Sequence, residues 1–165
     1  MAGNTMNAGS HTRQLVVFTL AGALYGVDIA QVREIIRVPD ITRVPKTANF
    51  VEGIINLRGG VIPVWNLRSR FKLAPDDAAD EERIVIVELG GELIGIRVDG
   101  VSEVLRIDAD LVEPPSQYIV NVDTQFVVGI ARVEDDLIVL LDLKLLLRPS
   151  EQDELRQATA VAARI

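Results

Sequence analysis

The residue types that most often perform catalysis are scarce in this chain of 165 residues. There is no cysteine, and the single histidine, His11, lies in a polar N-terminal stretch. The usual pairs of a nucleophile with a base, and the usual nitrogen and sulfur ligands of zinc, are therefore missing. The glycine pairs Gly59-Gly60 and Gly90-Gly91 match no phosphate-binding motif and favour hairpin turns. The sequence predicts no catalytic residue, no metal site and no cofactor, while a carboxylate-based enzyme stays open as an alternative.

The densest group of residues suited to binding a charged partner lies between positions 56 and 71. Arg58 stands at a predicted hairpin tip, and Arg68 and Arg70 follow the next strand. A long cation at a tight turn is suited to a partner's carboxylate or to an internal ion pair. The alternative is a solvated surface arginine of little energetic weight. The tip is therefore a candidate binding site, formed by Arg58, Gly59 and Gly60.

The elements that must position this tip occur twice in the chain. Residues 20–37 return sixty-nine positions later as residues 89–106, with glycine, glutamate and apolar residues in the same places. A second matching pair, residues 50–67 and 126–143, is separated by 76 positions. Two copies of one small β-unit predict a scaffold with two similar halves, and function is then expected where the copies differ.

The copies differ most in charge and at the hairpin tip. Residues 1–75 hold nine Lys/Arg and four Asp/Glu, whereas residues 76–165 hold eight and twenty. The second copy has Glu134-Asp135-Asp136 in place of Gly59-Gly60, and a longer loop at 113–124. Because charge affects partner choice more than fold, the two halves are suited to different partners. The alternative is that acidic loops keep the chain soluble.

Short β-branched runs between turn signals predict a mainly β fold. About five strands per copy suggest two small β-barrels packed side by side. A strand or a helical turn fits residues 32–37 equally well. In the first copy we expect strands at 15–20, 24–29, 54–58 and 61–65, a short helix from Thr47 to Gly53, and a helical turn at 67–71.

The domain layout follows from composition and from the repeat. A disordered tail is expected at residues 1–13 and a C-terminal helix at 150–165, where Ser150 and Asp153 form a capping pattern. The intervening domain, 14–147, divides into a first barrel at about 14–72 and a second at about 83–147. Exchange of terminal strands between the barrels is allowed by this layout.

Composition also limits the partners. No apolar run approaches the roughly 18 residues of a membrane span, and the N-terminus lacks the apolar core of a signal peptide. A cytoplasmic protein without membrane insertion is therefore expected. The net charge is −7, and one Trp, two Tyr and four Phe offer few rings for base stacking. Nucleic-acid binding is not expected, and the basic first half keeps it only as an alternative.

Residues 56–71, which read NLRGGVIPVWNLRSRF, resemble the signature of the CheW family of bacterial chemotaxis coupling proteins, roughly N-L-R-G-x-x-x-P-V-x-D-L-R-x-x-F. The resemblance extends over about residues 14–147. Two departures are visible: Asn66 stands at the motif's Asp, and Trp65 replaces an aliphatic residue. An exposed Trp65 would be an interface anchor, and a buried Trp65 is the alternative.

The resemblance implies two five-stranded, SH3-like barrels and an adaptor without catalytic activity. Such an adaptor bridges the cytoplasmic tip of a transmembrane chemoreceptor and the regulatory domain of the CheA histidine kinase, in membrane-associated arrays that include further copies of itself. The receptor surface is expected in the groove between the barrels. An adaptor of another chemosensory pathway, such as pilus-based motility, is the alternative. The family's functional Arg and Glu match Arg58 and Glu34, expected as an ion pair, with Val32, Ile35 and Ile36 beside them.

Overall fold

A computed structural model describes residues 12–44, 51–70, 81–114 and 126–146. Within these ranges most residues lie in strands, which confirms the expected mainly β fold with short helices. The helices there are α1 (Leu67–Arg70) and 3-10 turns at Ile29–Gln31, Ala109–Leu111 and Leu143–Leu146. The strands are β1 (Thr12–Leu20), β2 (Ala23–Asp28), β3 (Val32–Arg37), β4 (Val51–Leu57), β5 (Gly60–Asn66), β6 (Arg83–Leu89), β7 (Glu92–Val98), β8 (Gly100–Asp108), β9 (Val112–Glu113), β10 (Val127–Val133) and β11 (Asp136–Leu141).

Several expectations concern the chain ends and the loops. The predicted C-terminal helix at 150–165 lies outside the described residues, as do residues 1–11 of the predicted tail and most of the loop at 113–124. Thr12 and Arg13, which were expected in the tail, begin β1 because they pair with Asp108 and Ile107 of β8. Residues 32–37, for which the sequence left two choices, form a strand.

The described strands form two sheets. Sheet 1 has the order β8-β1-β2-β11-β10-β9, and sheet 2 has the order β3-β6-β7-β5-β4. The expected five strands are therefore present in sheet 2, and sheet 1 has six within the described residues. The extra strand, β9, pairs with β10 at the position where sheet 2 has an isolated bridge between Thr42 and Ile54.

The two sequence halves exchange hairpins between the sheets. Sheet 1 combines β1 and β2 with β8–β11, whereas sheet 2 combines β3–β5 with β6 and β7. The contiguous division into residues 14–72 and 83–147 therefore does not describe the two sheets, because each sheet contains strands from both halves. The hairpin β1–β2 lies between β8 and β11, and the hairpin β6–β7 lies between β3 and β5.

The duplication extends to strand register. Val16 pairs with Val104 in sheet 1, and their counterparts sixty-nine positions away, Val85 and Ile35, pair in sheet 2. In the parallel strand pair of sheet 1, Leu140 lies opposite Gly26. In the parallel pair of sheet 2, their counterparts Val64 and Gly95 lie opposite each other in the same way. Positions related by 69 in the first hairpin and by 76 in the second are thus equivalent in structure as well as in sequence.

Buried apolar side chains form a cluster within each sheet and a larger cluster that both sheets share. Val64 belongs to the cluster of sheet 2 and Trp65 to the shared cluster, and both are 0% exposed. Strand alternation therefore holds at β5, but both of its faces are covered. Trp65 is a core residue, and the interface anchor considered for an exposed Trp65 is excluded.

Two predicted boundaries are wrong. Gly53 does not end a helix, because β4 already begins at Val51, and residues 45–50 lie outside the described ranges. A Cβ at Gly53 would collide with the carbonyl oxygen of Thr42, so this glycine allows the segment 38–44 to bridge to β4. The β4–β5 turn is Arg58-Gly59 rather than Gly59-Gly60, because Gly60 pairs with Leu57.

Candidate partner-binding site

Arg58 adopts an uncommon backbone conformation at the tip of the β4–β5 hairpin. Its φ is 51° and that of Gly59 is 83°, as in type I′ turns, where both central residues have positive φ. Glycine adopts such angles without strain, whereas arginine rarely does. Asn56 Oδ1 accepts a hydrogen bond from Gly59 N at 3.0 Å, which stabilises the turn. The turn therefore fixes where the Arg58 side chain leaves the backbone.

Arg58 forms the expected ion pair with Glu34 of β3. Arg58 Nη1 donates to Glu34 Oε1 at 3.3 Å, and Nη2 donates to Oε2. The hydrogen bond first, and the charge of Glu34 second, raise the pKa of Arg58. The Arg58 side chain is 71% exposed and that of Glu34 is 30% exposed. Glu34 thus orients the guanidinium group, while most of the arginine surface stays accessible to a partner.

A second ion pair involves the neighbouring residue of β3. Arg33 Nη2 donates to Glu88 Oε2 of β6, and both side chains are exposed. The sequence analysis missed this pair because the two residues lie 55 positions apart and only the β3–β6 pairing brings them together. Arg33 and Glu88 therefore extend the charged surface that Arg58 and Glu34 begin.

The three apolar candidates on β3 have different environments. Val32 packs against the shared core cluster, and Ile36 packs against the cluster of sheet 2. Ile35 is 39% exposed and pairs with Val85, a member of the shared cluster. Because paired residues share a face of the sheet, Ile35 lies on the face of sheet 2 that carries the shared core. Ile35 is thus the one of these three with substantially exposed apolar surface.

The corresponding tip of sheet 1 repeats the backbone and changes the charge. Glu134 stands at the position of Arg58 and has a φ of 53°. Glu103 stands at the position of Glu34. The ion pair of sheet 2 is therefore replaced by two carboxylates at the corresponding positions.

A second polar group links the two sheets. Arg68 of α1 donates Nε to Asp99 Oδ1 at 3.0 Å, and Asp99 Oδ2 accepts from Ala21 N at 2.8 Å. Asp99 lies between β7 of sheet 2 and β8 of sheet 1, and Ala21 lies in the β1–β2 turn of sheet 1. Burial would raise the pKa of Asp99, but Arg68 and the Ala21 N–H hold that pKa below its usual value. The Arg68 and Asp99 side chains are only 12% and 16% exposed.

A second group of bonds lies in sheet 2, where the charge of Arg97 also acts on Asp99. Arg97 donates Nε to Glu82 Oε2 at 2.9 Å and Nη1 to Glu52 Oε2. Burial would lower the pKa of Arg97, but the two glutamates raise it. Asn66 Nδ2 donates to Glu52 Oε1 at 3.1 Å, where a second carboxylate would be repelled. We call six residues the polar network: Glu52, Asn66, Arg68, Glu82, Arg97 and Asp99.

The polar network explains why Asn66 is compatible with the position where the family signature described above has an aspartate. An amide donates a hydrogen bond to Glu52, whereas an aspartate there would need a proton to do so. Within the described ranges, no three His, Asp or Glu side chains are arranged to hold a metal ion. In the same part of the chain, no helix has the length and apolar character needed to cross a bilayer.

Comparison with known proteins gives a consistent result. The family described as "CheW-like domain" matches residues 14–151. The "Chemotaxis protein CheW" of Klebsiella aerogenes is 30% identical over 151 residues, which cover 92% of this chain and 88% of the relative. The protein of the same description from Treponema pallidum is 34% identical over 146 residues, which cover 86% of each chain.

A solved structure supports the same assignment. The crystal structure of the scaffolding protein TtCheW from Thermoanaerobacter tengcongensis has a TM-score of 0.77 and 42% sequence identity, covering 84% of this chain and 90% of that chain. The likeness confirms the expected pair of SH3-like β subdomains. With a family match that spans both sheets and their exchanged hairpins, the chain belongs to the CheW family.

Proposed function

We propose that this protein is a non-enzymatic chemotaxis adaptor that couples transmembrane chemoreceptors to the CheA histidine kinase. The observation that carries the proposal is the family match over residues 14–151, which includes both sheets. Two relatives are described as chemotaxis proteins and the solved relative as a scaffolding protein. Through its receptors the adaptor is recruited to membrane-associated arrays, where further copies of the chain are neighbours.

The tip of sheet 2 is suited to recognise a charged partner. Glu34 holds the Arg58 guanidinium group in place before binding, so less side-chain freedom is lost when a partner carboxylate arrives. Gly59 supports this geometry because it accepts a φ of 83°. The tip therefore contributes specificity by charge and by position, with Arg33 and Glu88 beside it.

The surface at Ile35 is suited to an apolar contact. Ile35 is 39% exposed on the face of sheet 2 that carries the shared core, and it follows Arg33 and Glu34, which belong to two different ion pairs. Binding interfaces commonly combine such an apolar centre with a charged rim. We assign this surface to the receptor tip, whose apolar side chains would cover Ile35.

Coupling requires that binding differs between signalling states. The adaptor passes receptor state to the kinase only if at least one partner binds it with a different free energy in the two receptor states. No bond is made or broken in this mechanism. Its measurable sign is kinase activity that depends on receptor state only when the adaptor is present.

Binding assays with purified partners test the proposal. The full chain should retain both the regulatory domain of its cognate CheA and a cytoplasmic receptor fragment. Retention of neither partner would refute the adaptor function. Reconstitution with full-length kinase should give receptor-dependent autophosphorylation, and a kinase that responds to the receptor equally well without the chain would count against coupling.

Variants with matched controls test the two surfaces. Arg58→Ala and Glu34→Ala should weaken receptor control of the kinase, whereas Arg132→Ala, which removes an exposed arginine from sheet 1, should not. Ile35→Ala should weaken receptor binding, and its counterpart in sheet 1, Val104→Ala, is the control. Equal effects of each variant and its control would exclude these residues from the site.

A further inference from the structure

Sheet 1 has an open cavity at the position that corresponds to the polar network of sheet 2. Its volume is about 550 Å³, and its wall includes Arg13, Asp28, Ala30 and Lys144. The repeat spacings of 69 and 76 relate all six residues of the polar network to residues in the wall of this one cavity. The counterparts of Glu82, Arg97, Asp99, Glu52, Asn66 and Arg68 are, in that order, Arg13, Asp28, Ala30, Val128, Asp142 and Lys144.

The cavity keeps the cation of one ion pair and lacks its carboxylate. Lys144 stands at the position of Arg68, but Ala30 stands at the position of Asp99 and has no charged group. Arg13 is the second cation in the wall. Over the described ranges, neither Arg13 nor Lys144 takes part in an ion pair. Two cationic side chains thus line a cavity in which the position equivalent to Asp99 has no carboxylate.

The two acids in the wall are bound by their own backbone. Asp28 Oδ1 accepts from Ala30 N at 2.9 Å, and Asp142 Oδ1 accepts from Lys144 N at 3.0 Å. These bonds stabilise the 3-10 turns that begin after each aspartate and engage one oxygen of each carboxylate. The polar network places three carboxylates against two guanidinium groups, whereas this wall has two carboxylates for two cations. One further carboxylate would give the cavity three carboxylates and two cations, as in the polar network of sheet 2.

We propose that this cavity binds a carboxylate side chain of a partner protein, at the position that the Asp99 carboxylate occupies in the polar network. Lys144 would donate to the carboxylate as Arg68 does to Asp99. The inner wall is apolar at Leu15 and Leu140, which suits the methylene groups of a glutamate. The occupant is thus an acidic residue of a protein segment.

The rim of the cavity indicates the neighbours of that acidic residue. Val128 in the wall is 43% exposed, and Leu145, next to Lys144, is 47% exposed. Apolar residues on either side of the bound acid would cover these two side chains. A free small acid would gain only the charged contact, so the surface favours a peptide with the pattern apolar-acidic-apolar.

An NMR titration of the ¹⁵N-labelled full chain tests the proposal with two peptides, Ac-Val-Glu-Leu-NH₂ and Ac-Val-Gln-Leu-NH₂. The glutamate peptide should shift the amide signals of Gly26, Ala30 and Lys144. The glutamine peptide should bind about tenfold more weakly, the effect of one charge-assisted hydrogen bond. Equal affinities of the two peptides, or shifts confined to another surface, would overturn the proposal.

Three variants assign the binding to the cavity. Lys144→Met should reduce the affinity for the glutamate peptide to that for the glutamine peptide, while Lys144→Arg should preserve it. Ala30→Asp should place a carboxylate beside Lys144 and abolish peptide binding in a chain whose spectrum stays folded. Undiminished binding by Ala30→Asp would contradict the assignment. If sodium acetate bound as tightly as the glutamate peptide, the cavity would be a small-anion site and the protein occupant would be wrong.

Discussion

The corresponding ends of the two sheets have the same backbone and different chemistry. In sheet 2 the polar network, which includes the Arg68–Asp99 pair, fills one end, whereas the same positions enclose a cavity in sheet 1. The hairpin tips differ in the same way, because Arg58 and Glu134 share a positive φ and carry opposite charges. The register of a strand depends on its neighbours, but a side chain at a sheet end can change without moving them. The two sheets therefore share a scaffold, and their ends carry different charges, the property that most affects partner choice.

The largest effect on stability is expected in the shared core. Trp65 is 0% exposed and its counterpart Leu141 is 4% exposed. Trp65→Ala should lower the free energy of unfolding by about 3–5 kcal/mol, because it leaves a large cavity. Trp65→Leu, which copies sheet 1, should cost less because it fills more of that volume. Urea unfolding followed by circular dichroism measures both, and an alanine variant as stable as the wild type would contradict the packing.

A smaller effect is expected where the polar network joins the sheets. Asp99→Asn, which removes the charge facing Arg68, should lower the free energy of unfolding by about 2 kcal/mol at pH 7. Because the pKa of Asp99 is lower in the folded state, its contribution is present above the ordinary carboxyl pKa of about 3.9 and is lost as pH falls through the folded value.

The measurement is urea unfolding of both proteins at several pH values. The wild type and Asp99→Asn should differ at neutral pH and converge in strong acid. Asp40→Asn, at an exposed loop position, is the control and should differ little from the wild type at any pH. A difference between the wild type and Asp99→Asn that stays constant with pH would show that the ionised carboxylate is not the stabilising group.

Asn66→Asp gives the polar network the residue found at the equivalent position of sheet 1, which is Asp142 in the wall of the cavity. The new carboxylate would lie beside Glu52 and repel it, so we expect a loss of about 1 kcal/mol in the free energy of unfolding at pH 7. Repulsion raises a carboxyl pKa, so the loss should disappear as pH falls and the new group binds a proton. Unfolding curves at pH 7 and pH 4 measure this change, and an equal loss at both values would rule out charge repulsion as its cause.

The smallest change in stability is expected at the hairpin tip, where Arg58 is exposed. Arg58→Glu, which copies Glu134, should leave unfolding almost unchanged and weaken kinase control. Combining Arg58→Glu with Glu34→Arg rebuilds an ion pair of reversed direction. We expect the reversed pair to leave kinase control impaired, because the arginine must stand at the tip. Full recovery in the reconstituted kinase assay would instead show that any ion pair is sufficient.

Local sequence patterns predicted the individual strands better than their ends. The alternation at 24–29 predicted β2, observed at Ala23–Asp28, although three consecutive residues at its centre, Tyr25 to Val27, are buried on both faces of the strand. The start of β1 at Thr12 was missed because its first three residues are polar and join the sheet by pairing with β8. The helix predicted up to Gly53 failed because contact with Thr42, a distant residue, determines the conformation there.

Sequence patterns do not determine whether the hairpins pair within one half of the chain or are exchanged between the halves. Both copies contain the same strands, so pairing within a half and pairing between halves satisfy the same local patterns. The candidate site divides in the same way. The Arg58–Glu34 pair was expected from the family motif, whereas Arg33–Glu88 and Arg68–Asp99 each join residues from different halves. Contacts of this kind depend on the sheet order, which no local motif records.

The exchanged hairpins also have a consequence for how the protein is made. The hairpin β1–β2 is synthesised before the other described strands, but sheet 1 can be completed only after β8–β11 have followed, and sheet 2 only after β6 and β7. We expect pairings this distant along the chain to slow folding and to couple the formation of the two sheets. A translation product that stops midway therefore completes neither sheet. An incomplete chain therefore cannot present either sheet in its finished form.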